Sequence, residues 1–366
     1  MRSHQAASIV AVAAVVFAAC SAPRSKEPSQ TEVDRAFQRL QIVRPVVPRT
    51  NFSFTNAHGA ALSAKLEEAR TIASSGSAPA ADRKAAYMII DRTTRQLEHE
   101  ASVAHFSPQM KVLNGRPVDD ALFQTMFRHQ VALYYAGFEN PRYSLFCGGA
   151  LIDPIWVLTA AHCFTAASRG DEFEAYVGSP TLSNGGTKIP FGADPIRHPK
   201  YASGSDAYDI ALVKLKTPAT SAAPIEVMDP ASDKPLIAAA GLSVVSGWGE
   251  TGAGTGATDR LQWAPNMRLV PTKDCQAKYD TLSPEDRRTV TDTMLCAGDG
   301  SSDPCFGDSG GPLAIRSNDR YKLEGIVSWG LSCSTPNSNF PGVYTRVPAF
   351  IAWIKCSQAK GAACPD

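Results

Sequence analysis

Ser309 stands in DPCFGDSGGPL, residues 303–313, where an acid, a cysteine and three glycines crowd one hydroxyl. Glycine is costly inside regular structure and useful where backbone must turn sharply or approach something closely. Such a frame would hold a serine up as a nucleophile. Gly, Asp, Ser and Pro are also ordinary turn residues, so the motif alone leaves a plain surface turn open. A serine hydroxyl becomes a useful nucleophile only when a histidine takes its proton and a carboxylate orients that histidine.

The order of those partners along the chain decides between two chemistries. G-x-S-x-G also fits the nucleophile elbow of α/β-hydrolases, in which the triad runs Ser, acid, His. All seven histidines, at 4, 58, 99, 105, 129, 162 and 198, precede Ser309, so that order is excluded. His then Asp then Ser stays open. TAAHC (159–163) sets His162 beside Cys163, which can pin it, whereas His198 in RHPKY reads as a structural histidine. Asp209 opens DIALVKL, whose alternating apolar residues place it at a strand start beside a buried face. An aspartate in such company needs a partner.

The elements that would position these residues lie in the C-terminal part of the chain. After residue 112, short runs such as QVALYYAGF, EAYVG, DIALVKL and KLEGIVSWG alternate with Gly, Pro, Asn and Ser. Many short strands with frequent turn signals indicate an all-β sandwich or barrel. Ahead of it, residues 21–50 are polar and proline-bearing, as a flexible tether would be. Leu62, Leu66, Ala69 and Ile72 then recur at helical spacing, SSGSAPAA interrupts, and Ala86, Ile90, Leu97 and Ala101 resume it. Residues 21–111 therefore read as a tether and a helical hairpin.

Residues 1–20, MRSHQAASIVAVAAVVFAAC, carry Arg2 and His4 before an apolar run from Ala6 to Ala19, as an export signal does. The run is too short for a transmembrane helix. Export implies an oxidising compartment in which cysteines pair. Of the 9 cysteines, Cys20 ends the apolar run and the others follow residue 146. FAAC-S resembles a bacterial lipobox, which would lipidate Cys20, although Phe17 departs from the usual first position; the alternative is a secreted chain cut nearby. No C-x-x-C pair occurs, which argues against a zinc or thioredoxin-type site. Lys plus Arg (36) nearly balances Asp plus Glu (35), so nothing points to nucleic acid.

TAAHC, DIALVKL and GDSGGP, in that order, resemble the chymotrypsin/trypsin family of serine endopeptidases, from Val112 to about Lys355. The resemblance implies an all-β domain at 112–366, with two antiparallel six-stranded barrels and the catalytic cleft between them. It implies Ser309 as nucleophile, His162 as base then acid, and Asp209 as its orienting partner. The amides of Gly307 and Ser309 would form the oxyanion hole. Ser328 in SWG would support Asp209 and, with Gly330 and Gly342, border the substrate pocket. Asp303 would form the pocket's base and select Arg or Lys. Pro304 departs from the usual Ser or Ala, and the loop from Cys333 to Pro341 is longer than usual.

The resemblance also implies the cystines Cys147–Cys163, Cys275–Cys296 and Cys305–Cys333, leaving Cys356 to pair with Cys364 outside the family pattern. Ser243 and Ile315 stand where many relatives carry another cystine. KVLNGRPV (111–118) resembles the activation junction: a cut after Lys111 would free the Val112 ammonium to insert beside Asp308. The expected protein is thus a zymogen, exported or lipid-anchored before activation, with residues 21–111 as pro-region. It would act as a monomer, without cofactor or metal, on proteins or peptides carrying Arg or Lys, and would meet protein protease inhibitors in the same cleft. The rival reading is a silent homologue serving as a binding module. Such relatives lose a triad residue or the oxyanion glycine, and none is lost here.

Overall fold

The alternating apolar runs become strands whose burial on both faces comes from curling. In the computed structural model, Gln130–Tyr135 (QVALYY) is buried along almost its whole length. A flat sheet with one wet face would bury only every second residue. The structure describes residues 115–136, 144–202, 206–249, 257–284, 287–298, 307–317, 320–330 and 340–365. The export signal with Cys20, the 21–111 hairpin, the Lys111–Val112 junction, Asp303 and the Cys305–Cys333 pair lie outside the described residues.

The strands are β1 (Arg116–Pro117), β2 (Gln130–Tyr135), β3 (Leu145–Asp153), β4 (Trp156–Thr159), β5 (Phe173–Val177), β6 (Thr187–Pro190), β7 (Ile196–Arg197) and β8 (Ala211–Lys214). They continue with β9 (Glu226–Val227), β10 (Leu242–Gly247), β11 (Gln262–Val270), β12 (Met294–Ala297), β13 (Pro312–Ser317), β14 (Arg320–Trp329) and β15 (Gly342–Arg346). One sheet runs β6-β5-β2-β3-β4-β8-β7 and curls until Phe191 bridges Leu215 across its ends. In the other, β11-β10-β13-β14-β15-β12 closes on itself through β11–β12 pairing, a six-stranded barrel. Two barrel-forming sheets thus match the expected all-β architecture. Ser243 and Ile315 face each other across β10 and β13, and the Ser243 hydroxyl donates to the Met267 carbonyl at 2.7 Å. The cystines Cys147–Cys163, Cys275–Cys296 and Cys356–Cys364 are formed.

Helices fall where the strand reading expected loops. The first α-helix longer than three residues, α1 (Pro230–Ala238), starts where the Asp229 carboxylate accepts from the amides of Ala231 and Ser232, with proline at the first helical position. The second, α2 (Thr272–Tyr279), buries Cys275 and Tyr279, one turn apart. The last, α3 (Ile351–Lys360), ends at Gly361 in the left-handed conformation that glycine adopts freely. Although α3 follows the second barrel, Phe350, Trp353 and Ile354 share a core with Ile196, Ile210 and Leu212 of the first sheet. Truncating a buried aromatic of this kind costs about 3–5 kcal/mol, so this return helix clasps the two halves firmly. His198 lies in the same clasp, stacked on Tyr208 and packed by Phe350 and Trp353.

One ionic cluster is buried away from the cleft. Glu324 on β14 and Asp233 on α1 are both fully buried. Arg346, at the end of β15, donates to Asp233 Oδ2 through both Nε (2.8 Å) and Nη2. Among the described residues, no backbone or side-chain donor reaches either Glu324 oxygen or Asp233 Oδ1. Burial, then the hydrogen bond and charge of Asp233, with a smaller push from Asp229, raise the Glu324 pKa to about 9 against the pull of Arg346. The missing donor is therefore a proton carried by Glu324 and shared with Asp233. Its contribution to folding is complete below the unfolded value near 4.5 and is lost as pH rises through about 9. Glu324→Gln supplies a donor that does not titrate. The variant's melting temperature should overtake wild type as pH rises from about 5 to about 9, by up to roughly 1.4 kcal/mol per pH unit. A difference that stays constant over that range would show that no proton is held there.

Candidate active site

His162 is set by a cystine and a tight turn. Strand β4 ends at Thr159, and Ala161–Cys163 forms a single 3₁₀ turn that carries the partly exposed imidazole. Cys163 is tied to Cys147 on β3, so the turn cannot drift from the sheet. Asp209 approaches from another direction. It lies two residues before β8, not at the strand start that DIALVKL suggested. The cause is Tyr208, whose φ of 58° reverses the chain just upstream. That conformation is uncommon for a side-chain-bearing residue, and the stack on His198 holds it.

The two side chains meet with little freedom. Asp209 Oδ2 lies 2.7 Å from His162 Nδ1, while Oδ1 accepts from the His162 amide at 2.8 Å. The Ser328 hydroxyl donates to Oδ2 at 2.6 Å, and the Thr345 hydroxyl donates to the Asp209 carbonyl at 2.6 Å. The Asp209 side chain is 4% exposed, whereas the His162 side chain is 30% exposed. Burial alone would raise the Asp209 pKa. The charge and hydrogen bond of the imidazole, with those of Ser328 and the His162 amide, outweigh it and hold the carboxyl below its ordinary value. Asp209 is thus ionised at neutral pH and orients the ring with Nδ1–H pointing inward. Nε2 stands outside that pairing.

Ser309 is held by the turn that its glycines implied. Gly307 and Gly310 have φ of 90° and 80°, the left-handed region, on either side of Asp308 and Ser309. The Gly148 amide on β3 donates to the Ser309 carbonyl at 2.7 Å, and Cys163 Sγ lies 3.9 Å from the same oxygen. The serine turn therefore abuts the histidine turn. Asp308 is buried, and its Oδ1 accepts from the Gly249 amide at 2.8 Å. Gly330 follows β14 and Gly342 opens β15, both buried, at the same end of a ladder that pairs Trp329 with Val343.

Three positioning residues escaped the sequence reading. A Cβ on Gly148 would sit 3.0 Å from the Gly311 Cα, so two backbones meet there without side chains. The Thr159 hydroxyl donates to the Gly148 carbonyl at 2.8 Å, and Thr345 holds Asp209 from β15. Only the doubled glycine of CGGA hinted at this. Cys147, His162 and Cys163 also lie close enough together to suggest a metal site. The two sulfurs are bonded to each other, so neither is a thiolate and the group does not suit a metal.

Two barrel-forming sheets with an ordered His–Asp pair and a glycine-framed serine where they meet define a β-barrel serine hydrolase. A model of the trypsin family matches residues 118–354, and the chain belongs to that family of serine proteases. A Cβ at Gly310 would collide with Thr159 Oγ1 and stand 2.7 Å from the Gly148 carbonyl, in a backbone region hostile to alanine. Gly310→Ala should destabilise the fold by about 1–3 kcal/mol from backbone strain alone, and by more from the clash. Thermal unfolding measures the loss, and an unchanged melting temperature would contradict this account of the turn.

Proposed function

We propose that the protein is the zymogen of an exported trypsin-like endopeptidase that cleaves peptide bonds after Arg or Lys. The observation that carries this reading is the buried, ionised Asp209 bound to His162 Nδ1 beside the Gly307–Gly310 turn. With Nδ1–H engaged, Nε2 takes the Ser309 proton as Oγ bonds to the scissile carbonyl carbon. The carbonyl π electrons move to oxygen, and the amides of Gly307 and Ser309 stabilise that oxyanion. Collapse breaks the C–N bond, and the imidazolium delivers its proton to the departing amine. Water, deprotonated by the same nitrogen, then attacks the acyl-enzyme and releases Ser309. Asp209 stabilises the imidazolium without taking its proton.

Asp303 forms the base of the specificity pocket in this proposal, between Gly330 and Gly342, whose missing side chains admit a long basic group. Pro304 offers no hydroxyl to help solvate a compact ammonium. Guanidinium can engage a carboxylate with two parallel bonds, so Arg is preferred to Lys. Activation follows from a cut after Lys111. The freed Val112 ammonium pairs with Asp308, and burial of Asp308 against the Gly249 amide supports that role. If Cys20 is lipidated, the same cut detaches the enzyme from its anchor.

Ser309→Ala should lower turnover of a small Arg-amide substrate on the order of a millionfold while leaving the fold intact. Activity above a trace would remove Ser309 from the mechanism. In the exporting cell, wild type should yield a soluble species beginning Val-Leu-Asn-Gly, and Ser309→Ala should remain full-length if the cut is self-inflicted. N-terminal sequencing reads the result. A mature terminus elsewhere would refute the Lys111 junction, and a Ser309→Ala chain cut there would assign activation to an outside protease.

A further inference from the structure

A surface cavity of about 430 Å3 adjoins the loop that follows the His162 turn, and the proposed chemistry makes no use of it. Its first wall is that loop, with Thr165, Ser168 and Arg169; its second is β7 and its flanks, from Asp194 to Tyr201. Arg197 on β7 pairs in register with Ala211, two residues past Asp209. Two walls therefore grow from the segments that carry the His–Asp pair. The third wall is Gly361 and Ala363, beyond α3. It is held in place by the Cys356–Cys364 cystine and by the Cys364 amide, which donates to the Ser357 hydroxyl at 3.2 Å.

The lining offers more donors than it can satisfy. Arg197 sets its guanidinium over the Tyr201 ring, 5.8 Å from the centroid. Among the described residues, neither that guanidinium nor the Tyr201 hydroxyl has a hydrogen-bond partner. Asp194 is the one carboxylate among the lining residues, and both its oxygens are engaged: Oδ1 accepts from the Gly170 amide at 2.8 Å, and Oδ2 from Arg169 Nη1 at 3.1 Å. The Arg169–Asp194 pair is about half exposed on each side, and such pairs contribute little, so Arg169 can turn its remaining N–H groups to a ligand. The hydroxyls of Thr165 and Ser168 each accept a backbone amide, from Ala167 at 3.2 Å and from Thr165 at 3.0 Å. They share one bond with each other, which leaves one hydroxyl proton over.

We infer that this cavity is a docking site for an acidic peptide segment of a protein partner, whose carboxylates bind Arg197 and Arg169. Two cations, spare hydroxyl protons and one saturated acid call for a guest that is anionic and rich in acceptors. A guanidinium fork matches a planar carboxylate with two parallel bonds. Pro195, Ile196 and Ala363 add apolar surface beside the donors, which suits the aliphatic stems of Asp and Glu better than a bare phosphate. The volume lies in the range of sites that enclose a molecule of several functional groups, far more than one ion fills. The site takes no part in bond cleavage, and the inference stands apart from the protease reading.

The probes are acetyl-Glu-Asp-Glu-amide, its Gln-Asn-Gln counterpart and inorganic phosphate, titrated calorimetrically into full-length Ser309→Ala protein, so that binding is read without turnover. The acidic peptide should bind about tenfold or more tightly than either of the others. Arg197→Gln should weaken it about tenfold, the loss expected of a hydrogen bond between charged groups. Ala363→Glu sets a carboxylate on the third wall and should weaken it at least as much. Ala363 is exposed, so this variant keeps the test valid should Arg197→Gln fail to fold. Lys322→Gln removes a cation that pairs with Glu226 from β14 of the other sheet, and should leave binding unchanged. Equal affinity for the acidic and neutral peptides, or an affinity unmoved by both cavity variants, would overturn the inference. An equal loss in Lys322→Gln would reduce the binding to general charge attraction and overturn it as well. Phosphate binding as tightly as the acidic peptide would make the cavity a free-anion site and refute docking.

Discussion

A carboxylate taken out of water is the constraint around which this fold is arranged. An unpaired buried charge costs several kcal/mol even after relaxation, so Asp209 is tolerable only if every lone pair finds a donor. The donors arrive from distant segments: ring and amide of His162 after β4, and the hydroxyl of Ser328 from β14. Thr345 on β15 then fastens the Asp209 main chain. Satisfying one charge thus requires both barrels to be folded and docked. The same bonds that make the burial affordable dictate which imidazole nitrogen is held, Nδ1, and leave Nε2 outside the pairing.

The protein manages its other buried carboxyl pair by the opposite strategy. Asp209 keeps its charge because opposing donors outweigh desolvation. Glu324 has one cation nearby, and that cation is already engaged by Asp233, so the group is driven toward its neutral form. The difference is a count of donors and not of depth, since all three carboxyl groups are buried. Charge is retained where chemistry needs a fixed dipole partner. It is surrendered where the cluster only joins α1 to the barrel.

Much of this was legible in the sequence because chemistry constrains short stretches. The serine turn announced itself through glycines whose left-handed φ is now visible at 307 and 310. The absence of histidine after residue 309 excludes the order Ser, acid, His. Strand texture was readable from period and turn residues. Asp209 was misplaced by two residues because the reversal at Tyr208 is sustained by the His198 ring, a contact that no local pattern reports. Gly148, Thr159 and Thr345 were missed for the same reason. Each matters through a neighbour far away in sequence, and neither a threonine in a strand nor a glycine beside a cysteine carries a distinctive local signature. Helix α1 has a standard Asp-Pro start, but Pro235 and the small residues around it leave no helical apolar period to find.

The serine turn shows why the histidine and the nucleophile must be built together. Gly148 holds the Ser309 carbonyl, stands next to Cys147, and cannot carry a Cβ because Gly311 approaches it. Cys147 in turn binds Cys163, the neighbour of His162. A single stretch of β3 therefore fixes the backbone at both the serine turn and the histidine turn, one by a hydrogen bond and the other by a covalent bridge. Moving either turn independently would break one of them. Rate in such a site depends on groups held within a fraction of an ångström of their working positions. A strand buried along most of its length, with glycine where the turn must approach and cysteine where the other must be tied, is how this chain secures that tolerance.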